Sequence, residues 1–143
     1  MGSRPVTIVL LDTHVWIWVV NGGPERLSAD AREVIEAAAL DSALAVSAIS
    51  AWEVAMLEAK GRLQLQMDCR DWVTTSTRRA GLRVVPLLAE IAVSSTRLPG
   101  EFHGDPADRI IAATARHEGA VIVTRDHSLL AYAQSGFLRA IRA

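Results

Sequence analysis

Four acidic residues stand at points where the sequence predicts that a strand ends or a helix begins. Asp12 and Asp126 follow the apolar runs VTIVLL and AVIVT, while Glu53 and Asp108 fall in the first turns of two predicted helices. Ligands of open parallel α/β sheets bind beyond the carboxyl ends of the strands. Helices that return antiparallel to the strands begin at that same edge. We therefore expect all four side chains to meet there.

A cluster of acids at one sheet edge predicts a metal site. The carboxylates repel one another strongly unless a cation lies between them. Carboxylates and waters are preferred ligands of Mg²⁺ and Mn²⁺, and such an ion makes a nucleophile from water and binds a phosphoryl oxygen. The acids therefore predict a site for Mg²⁺ or Mn²⁺. Asp105, one helical turn before Asp108, is a fifth candidate, as a metal ligand, a helix cap or a substrate contact.

Each of the four acids also has a purely structural interpretation. Asp12 ends a strand, and Glu53 completes a capping box with Ser50. Asp108 is a favourable acid in the first turn of a helix, and Asp126 caps the last helix. A metal site accounts for all four positions at once, and for that reason we prefer it.

The elements that position these acids alternate along the chain. Apolar runs rich in β-branched residues alternate with segments of helical spacing, which is typical of a parallel sheet covered by helices on both faces. The predicted strands cover 6–11, 43–46, 82–85, 120–124 and 138–141. The predicted helices cover 14–20, 28–39, 47–61, 71–80, 89–98, 105–118 and 128–134, the third of them beginning between Ser47 and Ser50. This order predicts one α/β domain.

Composition limits the class of protein further. The chain has 143 residues, half of them apolar and 22% charged, which is enough for the core of one domain. The formal net charge is −1, so bulk charge does not hold a nucleic acid and any binding must be local. The single cysteine excludes a disulfide framework within the chain. Since no apolar run spans a bilayer and residues 1–5 lack the regions of a signal peptide, we expect a cytoplasmic protein with no membrane partner.

Three segments of the chain, in order, resemble the PIN-domain ribonucleases, and specifically the VapC toxins of type II toxin–antitoxin pairs. They are LLDTHVW (10–16), VSAISAWEVAMLEAKGRL (46–63) and FHGDPADRIIAATARHEGAVIVTRD (102–126). The likeness covers nearly the whole chain, so residues 1–143 are identified as a single PIN domain. The resemblance implies that the catalytic acids are Asp12, Glu53, Asp108 and Asp126, with the metal held by Asp12, Asp108 and Asp126, and with Glu53 and Asp105 as possible further ligands.

The same resemblance implies a fold, an activity and partners. The fold is a PIN-like three-layer sandwich with a central parallel sheet of five strands in the order 3-2-1-4-5. The activity is that of a Mg²⁺- or Mn²⁺-dependent endoribonuclease. The partners are RNA, a second copy in a homodimer, and a cognate VapB-type antitoxin that inhibits the toxin in a hetero-oligomer. Operator DNA is expected to be contacted only through the antitoxin.

Several side chains beside the acids are candidates for substrate binding. The hydroxyls of Thr13 and Thr124 are placed to donate to a carboxylate or a phosphate. Arg109 is a candidate phosphate contact or an exposed salt-bridge partner. His14 is a candidate for contact with RNA or with an acid.

The chain has four tryptophans among only seven aromatic residues. Trp16 follows Asp12 and Trp52 precedes Glu53. These rings either pack in the core or line a groove for an antitoxin helix, to which Met56 would also belong. Stacking on an RNA base is a third interpretation.

Two other functions are compatible with the residues. A structure-specific DNA nuclease would use the same acidic site. Alternatively, the chain is a catalytically idle module that binds an antitoxin and autoregulates its expression. The residues identify neither the RNA nor the number of metal ions.

Overall fold

The computed structural model describes residues 6–78 and 81–143. The strands are β1 (Val9–Leu11), β2 (Leu44–Ser47), β3 (Leu82–Val85), β4 (Val121–Thr124) and β5 (Arg139–Arg142). The α-helices are α1 (Thr13–Val20), α2 (Ala29–Leu40), α3 (Ala48–Ala59), α4 (Cys69–Thr77), α5 (Ala89–Ser94), α6 (Pro106–Glu118) and α7 (His127–Gln134), and a 3-10 helix covers Pro24–Arg26. None of the helices in these two ranges is long and apolar enough to cross a membrane.

The five strands form one parallel sheet in the order β3-β2-β1-β4-β5, which confirms the predicted order. Strand β1 lies at the centre, where Val9 pairs with Leu44 of β2 on one side and with Val121 of β4 on the other. Asp12 directly follows β1. The sheet therefore delivers this aspartate to the middle of its carboxyl edge.

Side chains of the central strands alternate between two apolar cores, one on each face of the sheet. Leu11 and Val46 face a core formed with α1, α2 and α4. Leu10 and Ile122 face a second core formed with α5, α6 and α7. The architecture is thus the expected three-layer sandwich, in which the helices of both faces begin near the carboxyl edge.

Helix α6, which carries Asp108, has the predicted boundaries because both ends have strong local signals. The Asp105 side chain accepts a hydrogen bond from the Asp108 main chain at 2.9 Å, and Pro106 occupies the first turn. At the other end Gly119 has a φ of 62°, a left-handed conformation that glycine adopts without strain. These signals fix Asp108 in the first turn of the helix.

The elements that are shorter than predicted by two or more residues include β1, α5 and α3, of which α3 covers Ala48–Ala59 instead of 47–61. Strand β1 begins at Val9 instead of residue 6, and α5 ends at Ser94 instead of residue 98. Ser95 and Thr96 donate hydroxyl hydrogen bonds to carbonyls of the preceding turn, at 2.6 and 2.7 Å. Side chains of this kind offer the backbone an alternative to a continuing helix, so α5 ends there.

Helix α4 begins two residues before the prediction, at Cys69, because the Asp68 side chain caps it by accepting from the Arg70 main chain at 2.9 Å. The helix ends at Thr77, with Arg78 at its C-cap, so the predicted end at residue 80 is wrong. The expectation for residues 1–5 lies outside the described residues.

Candidate active site

Five carboxylates line one cavity of about 380 Å³ beyond the carboxyl ends of the central strands. They come from the turn after β1, from α3, from the start of α6 and from the turn after β4. The structure thus brings together all of the acids singled out from the sequence, which are Asp12, Glu53, Asp105, Asp108 and Asp126.

Asp12 is the most firmly held of these acids. Its Oδ1 accepts a hydrogen bond from the Thr13 main chain at 2.8 Å, and its Oδ2 accepts one from the Thr124 hydroxyl at 2.7 Å. Burial raises the pKa of Asp12 above its ordinary value, and these two hydrogen bonds oppose that rise. The Thr124 hydroxyl also accepts the main-chain N–H of Asp126 at 2.9 Å. Thr124 therefore acts on the site through Asp12 and Asp126.

Glu53 is positioned by a hydroxyl on another helix. Its Oε1 lies 2.6 Å from the Thr13 hydroxyl, which is also 2.9 Å from the buried Ser50 hydroxyl. The capping-box interpretation of Glu53 is therefore wrong: α3 is capped by Ser47, whose side chain accepts from the Ile49 main chain at 3.2 Å. Burial raises the pKa of Glu53, against the lowering effect of Thr13.

Asp108 shows the electrostatic cost of the cluster. Burial first, and then repulsion from the neighbouring carboxylates, of which Asp126 and Asp105 are the strongest, raise its pKa from 3.8 to about 7. A carboxyl group with such a pKa exchanges its proton near neutral pH. Beside a cation the same group would ionise fully.

Asp105 and Asp126 combine two roles that the sequence presented as alternatives. Asp105 caps α6 through Oδ1, and Asp126 caps α7 by accepting from the Leu129 main chain at 3.0 Å, also through Oδ1. Each carboxylate has a second oxygen and further lone pairs. Helix capping therefore leaves both residues able to serve the cavity.

The donor set suits a hard divalent cation. The cavity acids offer only oxygen, and the raised pKa of Asp108 reflects a repulsion that a cation would relieve. Within residues 6–78 and 81–143, no three His, Cys, Asp or Glu side chains are arranged to hold a metal ion by themselves. A cation bound here would take part of its coordination from water, as Mg²⁺ usually does. The residues fit such an ion.

Arg109 lies beside the cavity acids in sequence but contacts a neighbouring loop. Its guanidinium donates to the Phe102 main-chain oxygen at 2.9 Å and lies 5.8 Å from the centre of the Phe102 ring. Arg109 does not line the cavity, and its role as a phosphate contact stays a prediction. Thr13 and His14, by contrast, do line it.

The prediction that Trp16 lines an antitoxin groove is wrong. Trp16 is fully buried and packs against Trp72 with a ring separation of 4.8 Å. It belongs to the core and cannot line a surface groove. Trp52 is 56% exposed on α3, and Met56 is half-buried one turn further along. These two side chains lie outside the carboxylate cavity.

Two lining residues were missed from the sequence, Trp18 and Arg125. Their positions in the sequence could have indicated both of them. Trp18 lies one helical turn after His14, and Arg125 directly precedes Asp126. Both therefore stand beside residues already assigned to the site.

Comparison with known proteins agrees with this geometry. The PIN domain profile matches residues 9–134. The chain belongs to the PIN-domain family. It is 40% identical over 124 residues to ribonuclease VapC22 of Mycobacterium tuberculosis, across 87% of this chain and 91% of that protein.

Solved structures share the fold as well. VapBC2 from Rickettsia felis, bound to a DNA fragment from their promoter, superposes with a TM-score of 0.68 at 18% identity. DNA-bound VapBC from Salmonella typhimurium superposes with a TM-score of 0.65 at 19% identity. Both matches cover 95% of this chain and 98% of the other.

Proposed function

We propose that this chain is the toxin of a type II toxin–antitoxin pair, a Mg²⁺- or Mn²⁺-dependent endoribonuclease that a cognate VapB-type antitoxin inhibits. The observation that carries the proposal is the convergence of five carboxylates from separate segments in one cavity. The 40% identity to a protein named ribonuclease VapC22 supports RNA as the polymer.

In this proposal Asp12, Asp108 and Asp126 hold the metal, and Glu53 and Asp105 bind it through water or directly. When bound, such an ion would supply a nucleophile from water and stabilise charge on a phosphoryl oxygen. Asp12 suits the role of main ligand because hydrogen bonds fix both of its oxygens while leaving lone pairs free.

The catalytic acids have distinct tasks in this scheme. Thr13 holds Glu53 at 2.6 Å and thereby orients its carboxylate towards the cavity. A carboxylate of the cluster that does not ligate the metal directly, such as Glu53, would be placed to accept a proton from the attacking water. In-line attack by water leaves a 5′-phosphate and a 3′-hydroxyl on the RNA.

The proposal includes the partners, the extent of the domain and the location. The toxin forms a homodimer, and it joins the antitoxin in a hetero-oligomer that reaches operator DNA only through the antitoxin. The net charge of −1 supports that division. Trp52 and Met56 line the antitoxin groove.

The single PIN domain covers residues 1–143, since β5 extends the sheet beyond the profile match at residue 134. The protein acts in the cytoplasm.

The test is cleavage by the purified, antitoxin-free chain, assayed on total bacterial RNA and on single- and double-stranded DNA. We expect RNA cleavage with Mg²⁺ or Mn²⁺, 5′-phosphate ends, and loss of cleavage in excess EDTA or with stoichiometric antitoxin. Undiminished cleavage in EDTA would overturn the metal mechanism. Cleavage of DNA alone would identify a DNA nuclease, and antitoxin binding without any cleavage would identify an idle module.

A further inference from the structure

The carboxylate cavity is bounded on one side by an arginine and an indole. Trp18 of α1 and Arg125, which lies between β4 and α7, line the cavity beside the acids. The guanidinium carbon of Arg125 is 4.8 Å from the centre of the Trp18 ring, within cation–π range. We propose that Arg125 binds a phosphate of the RNA next to the one that is cleaved, and that Trp18 is its positioning residue. This inference rests on the proposed ribonuclease function.

Two main-chain oxygens hold the Arg125 side chain. Its Nε donates to the Ala143 main-chain oxygen at 3.0 Å, and one terminal nitrogen donates to the Arg26 main-chain oxygen. In residues 6–78 and 81–143, the ion pairs formed by the side chains do not include Arg125. A guanidinium has five N–H groups, so three are left to donate. Arg125 is thus held in place at the cavity while keeping N–H groups that can donate to a ligand.

A cation is needed at this position because the cavity is strongly anionic. A polyanion that approaches five carboxylates is repelled, and the net charge of −1 gives the protein no general attraction for RNA. A metal ion held by the acids would offset this repulsion only for the phosphate that it binds. A fixed guanidinium at the rim would attract the adjacent phosphate through charge-assisted hydrogen bonds. Arg125 therefore supplies the attraction that the acids lack.

The cationic rim continues into a second cavity, of about 700 Å³, that shares His14 and Trp18 with the first. Arg26 and Arg62 line this second cavity together with one acid, Glu25, and the Arg26 guanidinium lies 5.9 Å from the Trp18 ring. The arginines thus follow two adjoining cavities. In this proposal the RNA strand extends from the carboxylate cavity, passes over Trp18 and continues in the second cavity, between α1 and the turn after α3.

RNA is favoured over an acidic segment of a partner protein as the occupant. The arginines lie along cavities that join the proposed cleavage site, whereas the exposed Trp52 offered for antitoxin binding lies outside both. A series of phosphates along one strand matches that arrangement of cations. Binding of an acidic protein segment is retained as an outcome of the test.

The test compares Arg125→Gln and Arg125→Lys with Arg32→Gln, an exposed arginine of α2 away from both cavities. Steady-state cleavage of total transfer RNA gives KM and kcat. Anisotropy of a fluorescein-labelled transfer RNA mixture, at several NaCl concentrations and in an Asp108→Asn background, gives Kd without cleavage.

For Arg125→Gln we expect KM to rise about 10-fold with kcat changed by less than ~3-fold. The slope of log Kd against log salt should fall by about one.

Substitutions of Trp18 test its positioning role. Trp18→Leu keeps the Arg125 charge but removes the aromatic ring, so KM should rise as in Arg125→Gln. Trp18→Phe keeps an aromatic ring, so its KM should stay close to that of the wild type. Arg125→Lys should keep the salt slope while raising KM, because the ammonium is a point charge without the planar fork. Melting temperatures of all variants establish that they are folded, and Arg125→Lys decides the matter if Arg125→Gln unfolds.

The outcomes separate this inference from the proposed function. If the wild type cleaves RNA and Arg125→Gln keeps the wild-type KM and salt slope, Arg125 is not a phosphate contact and the ribonuclease assignment stands. If the wild type cleaves no RNA, the ribonuclease assignment fails, and the binding slope alone decides on Arg125. Unchanged RNA binding with weakened antitoxin binding would assign Arg125 to the protein partner and overturn the inference.

Discussion

The hydroxyl of Thr124 lies 2.7 Å from Oδ2 of Asp12 and donates a hydrogen bond to it across two neighbouring strands. The hydroxyl oxygen of Thr124 also accepts a hydrogen bond from the main-chain N–H of Asp126 at 2.9 Å. One buried side chain therefore sets the relative position of two acids that the sequence separates by more than a hundred residues.

Replacing Thr124 by Val removes the hydroxyl and keeps the shape of the side chain. RNA cleavage should fall about 10- to 100-fold, because the orientation of Asp12 is lost. Stability should fall by about 1–3 kcal/mol, because the main-chain N–H of Asp126 loses its partner. Cleavage assays and urea unfolding measure the two effects. Thr124→Ser is the matched control and should retain most of the activity; equal activity of Thr124→Val would deny Thr124 this role.

The raised pKa of Asp108 makes the stability of the metal-free protein depend on pH. The folded state holds the proton up to about pH 7, whereas the unfolded state releases it near 3.8. Stability should therefore fall as pH rises from 3.8 towards 7, and the loss persists above that range. Asp108→Asn removes this contribution and should be more stable than wild type at pH 8, by on the order of 1 kcal/mol after solvent screening.

Urea unfolding in EDTA at several pH values measures this effect. The difference in unfolding free energy between Asp108→Asn and the wild type should decrease towards zero as the pH falls to 4. Asp30→Asn, a change at an exposed acid in the first turn of α2, is the control and should follow the wild type. An Asp108→Asn protein that is no more stable than wild type at pH 8 would show that the acids do not repel one another as inferred.

The contrast between Trp16 and Trp52 predicts opposite phenotypes. Trp16→Ala empties a fully buried site and should cost about 3–5 kcal/mol of stability. Trp52 is 56% exposed, so Trp52→Ala should change stability by less than about 0.5 kcal/mol. If Trp52 contributes to the antitoxin groove, antitoxin binding should weaken about 10-fold with RNA cleavage unchanged. Wild-type antitoxin affinity in a folded Trp52→Ala protein would remove Trp52 from the groove.

The features predicted correctly from the sequence depend on local signals. Strand β3 has the predicted bounds, and α6 begins and ends where its aspartate, proline and glycine specify. The meeting of the acids also follows from local position, because parallel strands and their returning helices share one edge.

The features missed depend on tertiary packing. Helix α1 (THVWIWVV) is apolar nearly all round, so its sequence does not show that Trp16 faces the core while Trp18 faces the cavity. Arg109 and Arg125 each adjoin an acid in the sequence. Only the fold shows that Arg109 turns to the Phe102 carbonyl while Arg125 reaches the rim of the cavity.

The most direct test of the central claim, that the acids form a metal-dependent cleavage site, measures RNA cleavage and melting temperature for one conservative variant of each acid. The variants are Asp12→Asn, Glu53→Gln, Asp108→Asn and Asp126→Asn, with Asp30→Asn as the control. Each site variant should lose at least ~100-fold in cleavage rate. The melting temperatures of Glu53→Gln, Asp108→Asn and Asp126→Asn in EDTA should hold or rise, since each change relieves repulsion. Variants that melt early yet cleave at the wild-type rate would contradict the account and show the acids to be structural.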